Sequence, residues 1–232
     1  MLGPMDYTVW TAGFLLEVVV VVSAFARSQV RRYLSLTLYM MCCGLVQCAH
    51  FYFLRKYGLS SKQYTYVYYY TESLLTISLF CVVIQLYQHV FQEMAVGKHI
   101  RTAAAVLVGA TAFFSYAVIR QNQDHLTSRF VVELGQNLYF VGVVLTYLLW
   151  GAILKLRETR ARLIQLVLAL GIYFSATAGA YALRNLFPTL EASVLHVIFP
   201  ILGVWLPAAW AYTFLRVSDD TRLIPAQLSP RS

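Results

Sequence analysis

The residues of this chain best able to do chemistry are acids, imidazoles and amides set inside long apolar runs. They are Glu72, His196, His50 and Glu133, with Gln47, Gln136, Asn137, Tyr68, Tyr69 and Arg184 beside them. Their spacing is helical. Cys43, Gln47 and His50 stand at i, i+4 and i+7 and share one face; Tyr68, Tyr69, Glu72 and Thr76 form a second polar stripe, and Glu133, Gln136 and Asn137 a third. His196 lies four residues before Pro200, where the missing proline N–H leaves the His196 carbonyl without its usual helical partner.

Three chemistries could use such a set. His50 and His196 could be the axial ligands of a b-type haem. With Glu72 and Glu133 the same histidines could hold a divalent metal, although no Glu-x-x-His or His-x-x-x-His spacing supports it. Acids, histidines and Arg184 together could bind a small polar or zwitterionic ligand, or relay protons. The third asks least of the spacing, so no cofactor or metal is predicted, and haem b is kept as an alternative.

Other reactions lack their residues. No lysine lies in an apolar run, so a retinal Schiff base has no attachment point, and Asp6, Asp124, Asp219 and Asp220 all fall outside the runs. There is no His-Glu-x-x-His and no Gly-x-Ser-x-Gly. Cys42, Cys43, Cys48 and Cys81 sit inside apolar runs in no zinc or disulfide pattern and read as small apolar fillers. The balance points away from an enzyme.

The elements that must position these side chains follow from composition. The chain is 59% hydrophobic and 12% charged, against roughly 25% charged in an ordinary soluble domain. Its apolar runs are Tyr7–Ala26, Tyr33–Phe53, Tyr64–Phe91, Thr102–Ile119, Phe130–Leu154, Leu163–Leu183 and Ala192–Leu215. Each approaches or exceeds the roughly 17–25 residues that cross a hydrocarbon layer, and helices satisfy their own backbone there. The expected fold is therefore all-α, a polytopic membrane protein built as a seven-transmembrane-helix bundle over 1–216, with a short polar tail, 217–232. MLGPMDYTVW lacks the basic start and cleavage site of a signal peptide, so the first helix is expected to be retained.

Charge sets the orientation. Of the 18 Lys and Arg, twelve fall in the loops after helices one, three and five and in the tail, and six on the other side. That asymmetry puts the C-terminus in the cytoplasm and the N-terminus outside. The net charge of +8 thus reads as topology, with no nucleic acid implied.

With this orientation the candidate residues of helices two, three, five and seven fall in the outer half, and Arg184 at the outer end of helix six. Glu17 lies nearer the centre, where a carboxylate costs roughly 2.5–3.5 kcal/mol and should face protein. Gln85 and His89 lie in the inner half of helix three. The tyrosine-rich stretch Tyr64–Tyr70 reads as an interfacial belt, and Gly171, Ser175 and Gly179 as a ridge for helix packing. Polar groups from separate helices at one depth are most simply explained by a shared pocket open to the outside.

Seven helices with an outer N-terminus match the layout of G-protein-coupled receptors, but Gln88-His89-Val90-Phe91 and Leu206-Pro207-Ala208-Ala209-Trp210 do not carry their signatures, so the match is one of topology. Tyr68-Tyr69-Tyr70-Thr71-Glu72-Ser73-Leu74, Val83-Ile84 and Val90-Phe91 resemble a group of small uncharacterised bacterial seven-helix membrane proteins, with further likeness at Arg129-Phe130 and Leu170-Gly171-Ile172-Tyr173-Phe174-Ser175. The resemblance implies a multi-pass protein of the bacterial inner membrane and no particular activity. In topology the chain is also similar to the seven-helix sensor modules of bacterial histidine kinases. The expected function is a ligand sensor or accessory membrane subunit that takes a small polar ligand and works through a cytoplasmic or membrane signalling partner, with the arginine-rich loop Lys155–Arg162 as one contact. A small-solute or proton-coupled transporter is the alternative.

Overall fold

The computed structural model describes residues 4–58, 61–92, 102, 106–107, 109–111, 113, 126–186, 195–218 and 221–222. Among them are seven helices: α1 Pro4–Ala26, α2 Leu34–Tyr57, α3 Lys62–Val90, helical residues within 102–113 (α4), α5 Leu126–Lys155, α6 Ala161–Leu186 and α7 Leu195–Arg216. Counted over the described residues, α1–α3 and α5–α7 are long and apolar enough to cross a membrane. The predicted run Thr102–Ile119 lies largely outside the described residues. The other helices overrun the predicted spans, because apolar runs omit the polar residues of a helix's end turns. At the start of α3, for example, Ser61 accepts a hydrogen bond from the Tyr64 backbone at 3.1 Å, an N-cap that brings Lys62 and Gln63 into the helix.

The principal contacts run α1–α2, α2–α3, α3–α5, α5–α6, α6–α7 and α7–α1, which closes a ring of six helices. Side chains such as Leu15, Val22, Leu45, Tyr147, Leu148 and Ile201 face outward and exposed. Such apolar outer faces suit contact with a lipid bilayer.

Inside the ring the two halves differ. The half at the α1–α2 and α5–α6 connections, called here the arginine end, is filled by one apolar core that includes Val20, Leu36, Leu86, Leu166, Trp210 and Phe214. The other half, the tyrosine end, holds a cavity. Between them α5 and α6 cross closely. A Cβ added at Gly142 would stand 2.3 Å from the ring of Phe174, which is itself wedged against Phe80 and Tyr139. Only glycine admits that ring.

The connections at the arginine end are tight. Ser28 and Arg157 adopt positive φ (55° and 51°) just past α1 and α5. In each case the next N–H bonds back into the helix, Gln29 to Ala24 and Glu158 to Ile153, which closes the turn by a left-handed cap.

Candidate functional site

The cavity has a volume of about 540 Å³, within the range of roughly 300–1,000 Å³ typical of small-molecule sites. Every helix of the ring contributes. From α1 comes Glu17; from α2, Tyr39, Cys43, Gln47 and His50; from α3, Tyr68, Tyr69, Glu72 and Thr76. Gly135 and Tyr139 of α5, Tyr173, Thr177, Tyr181 and Arg184 of α6, and Phe199, Pro200, Gly203 and Pro207 of α7 close it. The stripes predicted on α2 and α3 thus lie together on one wall.

The stripe on α5 does not join them. Glu133 and Asn137 are half-buried and Gln136 is buried, yet among the described residues α5 presents only Gly135 and Tyr139 to the cavity. Those two stand at i and i+4, on a face centred roughly 130° around the axis from that of Glu133, Gln136 and Asn137 at about 100° per residue, so the two sets face different ways. The side chain of His196 lies outside the described residues; its backbone is the first turn of α7.

The deep wall turns on Glu17. Its side chain is 5% exposed. Gln47 Nε2 donates to Glu17 Oε1 at 2.7 Å, with Gly13 beside Gln47 and Gly44 beside Glu17, where an added Cβ would make only ordinary contact. Among the described residues Glu17 Oε2 and Gln47 Oε1 have no hydrogen-bond partner, nor does Thr177 Oγ1 on α6. All three residues line the cavity.

His50 is held from α3. Its Nε2 lies 2.7 Å from Thr71 Oγ1, whose own proton goes to the Val67 carbonyl at 2.6 Å, so the imidazole is the donor. Its ring tilts against Tyr68 at 5.3 Å. Glu72 lines the cavity together with Tyr68, Tyr139, Tyr173 and Tyr181. Those rings continue one another: Tyr139 lies 5.6 Å from Tyr181, and Tyr181 5.2 Å from Phe199. On the tyrosine stretch, Tyr66 and Tyr70 point outward and exposed as a belt would, whereas Tyr68 and Tyr69 also border the cavity.

Sequence reasoning passed over much of this lining. Glu17 was legible as an acid that must face protein, but its depth did not tie it to the outer set. Tyr173, Thr177, Tyr181 and Arg184 stand at i, i+4, i+8 and i+11, a polar-aromatic stripe that could have been found by the rule used on α2 and α3. The ridge of small residues on the same helix drew attention instead. In the structure Gly171 and Ser175 floor a lateral groove of about 470 Å³ beside Thr146 and Trp150. An added Cβ at Gly179 would meet nothing, so the ridge is not buried by a neighbouring helix there.

The polar residues at the arginine end serve the fold. Gln85 accepts from the Ser35 backbone at 3.0 Å and donates to the Arg32 carbonyl at 3.1 Å, which ties the start of α2 to α3. His89 bonds the Gln85 carbonyl at 2.8 Å and stacks on Tyr33 at 5.4 Å. Within the loop Lys155–Arg162, Arg160 pairs with Glu158 at 2.6 Å and donates to the His89 carbonyl. Arg162, 1% exposed, donates to the Val217 carbonyl and to Gln29 and lies over the Phe214 ring. Only Lys155, Leu156 and Arg157 of that loop are exposed.

Ring and cavity together define a multi-pass helical membrane protein with an internal cavity lined in part by polar side chains. No family model, no curated protein and no solved structure matches the chain.

Proposed function

We propose that this is an integral membrane protein whose cavity opens to the outside, and that it acts as a ligand sensor or accessory membrane subunit through a partner. The observation that carries this is the convergence of Glu17, Gln47, His50, Glu72, Thr177 and Arg184 from four helices on one cavity. Polar groups are costly within a bilayer and are kept there chiefly for binding or transfer. In this reading α4 completes seven crossings, the arginine end faces the cytoplasm of a bacterial cell, and the N-terminus lies outside, as the placement of basic residues favours. The exposed Lys155 and Arg157 are then the cytoplasmic groups offered to a signalling partner, since Arg160 and Arg162 are engaged within the fold.

The orientation is tested with single cysteines on a background lacking the native four. On intact cells an impermeant maleimide should label Gln63→Cys at the tyrosine end and spare Arg157→Cys. The reverse pattern refutes an outward-facing site.

A carrier is the second reading. Pro200, Gly203 and Pro207 all line the cavity on α7, and prolines within a helix free backbone groups and permit bending. Uptake into proteoliposomes by the purified chain would favour that reading over sensing. A haem using His50 would have to displace Thr71 from Nε2; a Soret band in the purified protein would favour it.

A further inference from the structure

Three polar atoms of the cavity wall have no hydrogen-bond partner among the described residues. Glu17 Oε2 and Gln47 Oε1 are acceptors, and the Thr177 hydroxyl can both donate and accept. Glu17 and Thr177 are 5% and 3% exposed, and both line the cavity. Gln47 commits one of its two amide hydrogens to Glu17, so an oxygen of each residue is left to accept. Among the described lining residues Glu17 and Glu72 are acids and Arg184 is basic. Arg184 cannot serve the deep wall. It lies seven residues beyond Thr177 on α6, about 10 Å along the axis at 1.5 Å per residue. Beyond the acids the lining is aromatic, with Tyr39, Tyr139, Tyr173, Tyr181 and Phe199.

From these we infer that the cavity binds a small protonated primary amine, its ammonium seated at Glu17 and its apolar body among the tyrosines. A primary ammonium carries three donors and no acceptor, which suits a wall where Glu17 Oε2 and Gln47 Oε1 are left to accept. Its charge pairs with the Glu17 carboxylate, and charge-assisted bonds of this kind are the stronger class. A quaternary ammonium would gain the attraction of the aromatic rings but leave the oxygens unmatched. An amino acid would bring a further carboxylate into a cavity that already holds Glu17 and Glu72. The inference rests on the cavity being a ligand site, and the test separates the two.

The purified full chain in nanodiscs is titrated calorimetrically with phenethylammonium chloride, phenethyl alcohol, phenethyltrimethylammonium, phenylalanine and sodium chloride. Phenethylammonium should bind about ten-fold or more tighter than the alcohol or the quaternary analogue. Glu17→Gln should weaken it by about ten-fold, and Thr177→Val by about three-fold, with elution volume and helicity unchanged. Equal binding of amine and alcohol, or no effect of Glu17→Gln, overturns the assignment. So does tighter binding of phenylalanine, and so does full displacement by sodium, which would make the site one for an inorganic cation. If no compound binds while Thr177→Cys reacts with a small thiol reagent, the amine is wrong and the cavity stands. If Thr177→Cys is also unreactive, the ligand-site reading falls with it.

Discussion

The two ends of this ring treat buried polar groups in opposite ways. At the arginine end, Arg162 is nearly fully buried and meets the Val217 carbonyl, Gln29 and the Phe214 ring. Its neighbours do likewise: Arg27 donates to the Leu215 carbonyl at 2.8 Å, and Ala161 N–H to the Thr221 carbonyl at 3.0 Å. Two of these acceptors, Leu215 and Val217, lie at the C-terminal end of α7. There helical carbonyls lack intrahelical donors and the helix dipole favours cations. Guanidinium groups from two connections thus fasten the end of the last helix to the rest of the bundle. At the tyrosine end Glu17 and Thr177 are buried and Gln47 half-buried, each with an oxygen that has no partner among the described residues. One end uses polarity to close the structure; the other holds it in reserve around a cavity.

That contrast can be broken by substitution, and the effects should fall in a definite order. Arg162→Ala removes the donors of at least two buried acceptors and should cost about 3 kcal/mol or more in unfolding from detergent micelles. An unfolding midpoint like that of the parent would mean that the arginine end is not fastened in this way. Gly142→Ala places a carbon where the Phe174 ring now stands and should cost about 1–3 kcal/mol by overpacking. Its thermal denaturation should show the loss whether or not ligand is present. Glu17→Gln replaces a buried acid of the cavity wall with an amide of the same shape, and stability should rise or stay within about 1 kcal/mol. A large loss would place Glu17 among the residues that hold the fold.

The smallest effect concerns pH. The Arg160 side chain bonded to Glu158 holds the Glu158 carboxyl below the usual carboxylate range, with the Arg160 and Thr159 backbone amides adding to it. A lowered folded-state pKa stabilises the fold above the unfolded value of about 4.3, and the contribution is lost as pH falls through the lowered value. Amide exchange at Ala161 should therefore be steady from neutral pH down to about 5 and quicken relative to intrinsic rates below about 4. In Glu158→Gln it should already be fast at neutral pH.

Much of the architecture was legible from the chain, because apolar length and sparse charge report membrane-crossing helices directly. The wall of the site on α2 and α3 was legible for a related reason: Gln47, His50, Tyr69 and Glu72 interrupt apolar runs at helical spacing. What could not be read was which face of each helix turns inward. Glu133 and Gln136 look as promising as Glu72 in sequence, yet α5 is rotated so that Tyr139 meets the cavity instead. Rotation is decided by packing, here by the Gly142–Phe174 contact that sets α5 against α6. Arg160 and Arg162 illustrate the converse. Loop arginines in a membrane protein read as topology determinants, and no local pattern says that a carbonyl sixty residues away will bury one.

The difference between the ends is tested most directly by paired cysteines on α6. Thr177 lines the cavity and Leu166, three turns nearer the arginine end, is fully buried in the apolar core. On the cysteine-free background, a small aminoethyl thiosulfonate should modify Thr177→Cys rapidly in native membranes and leave Leu166→Cys untouched. Equal protection of both positions, or faster reaction at 166, would contradict a polar cavity confined to the tyrosine end.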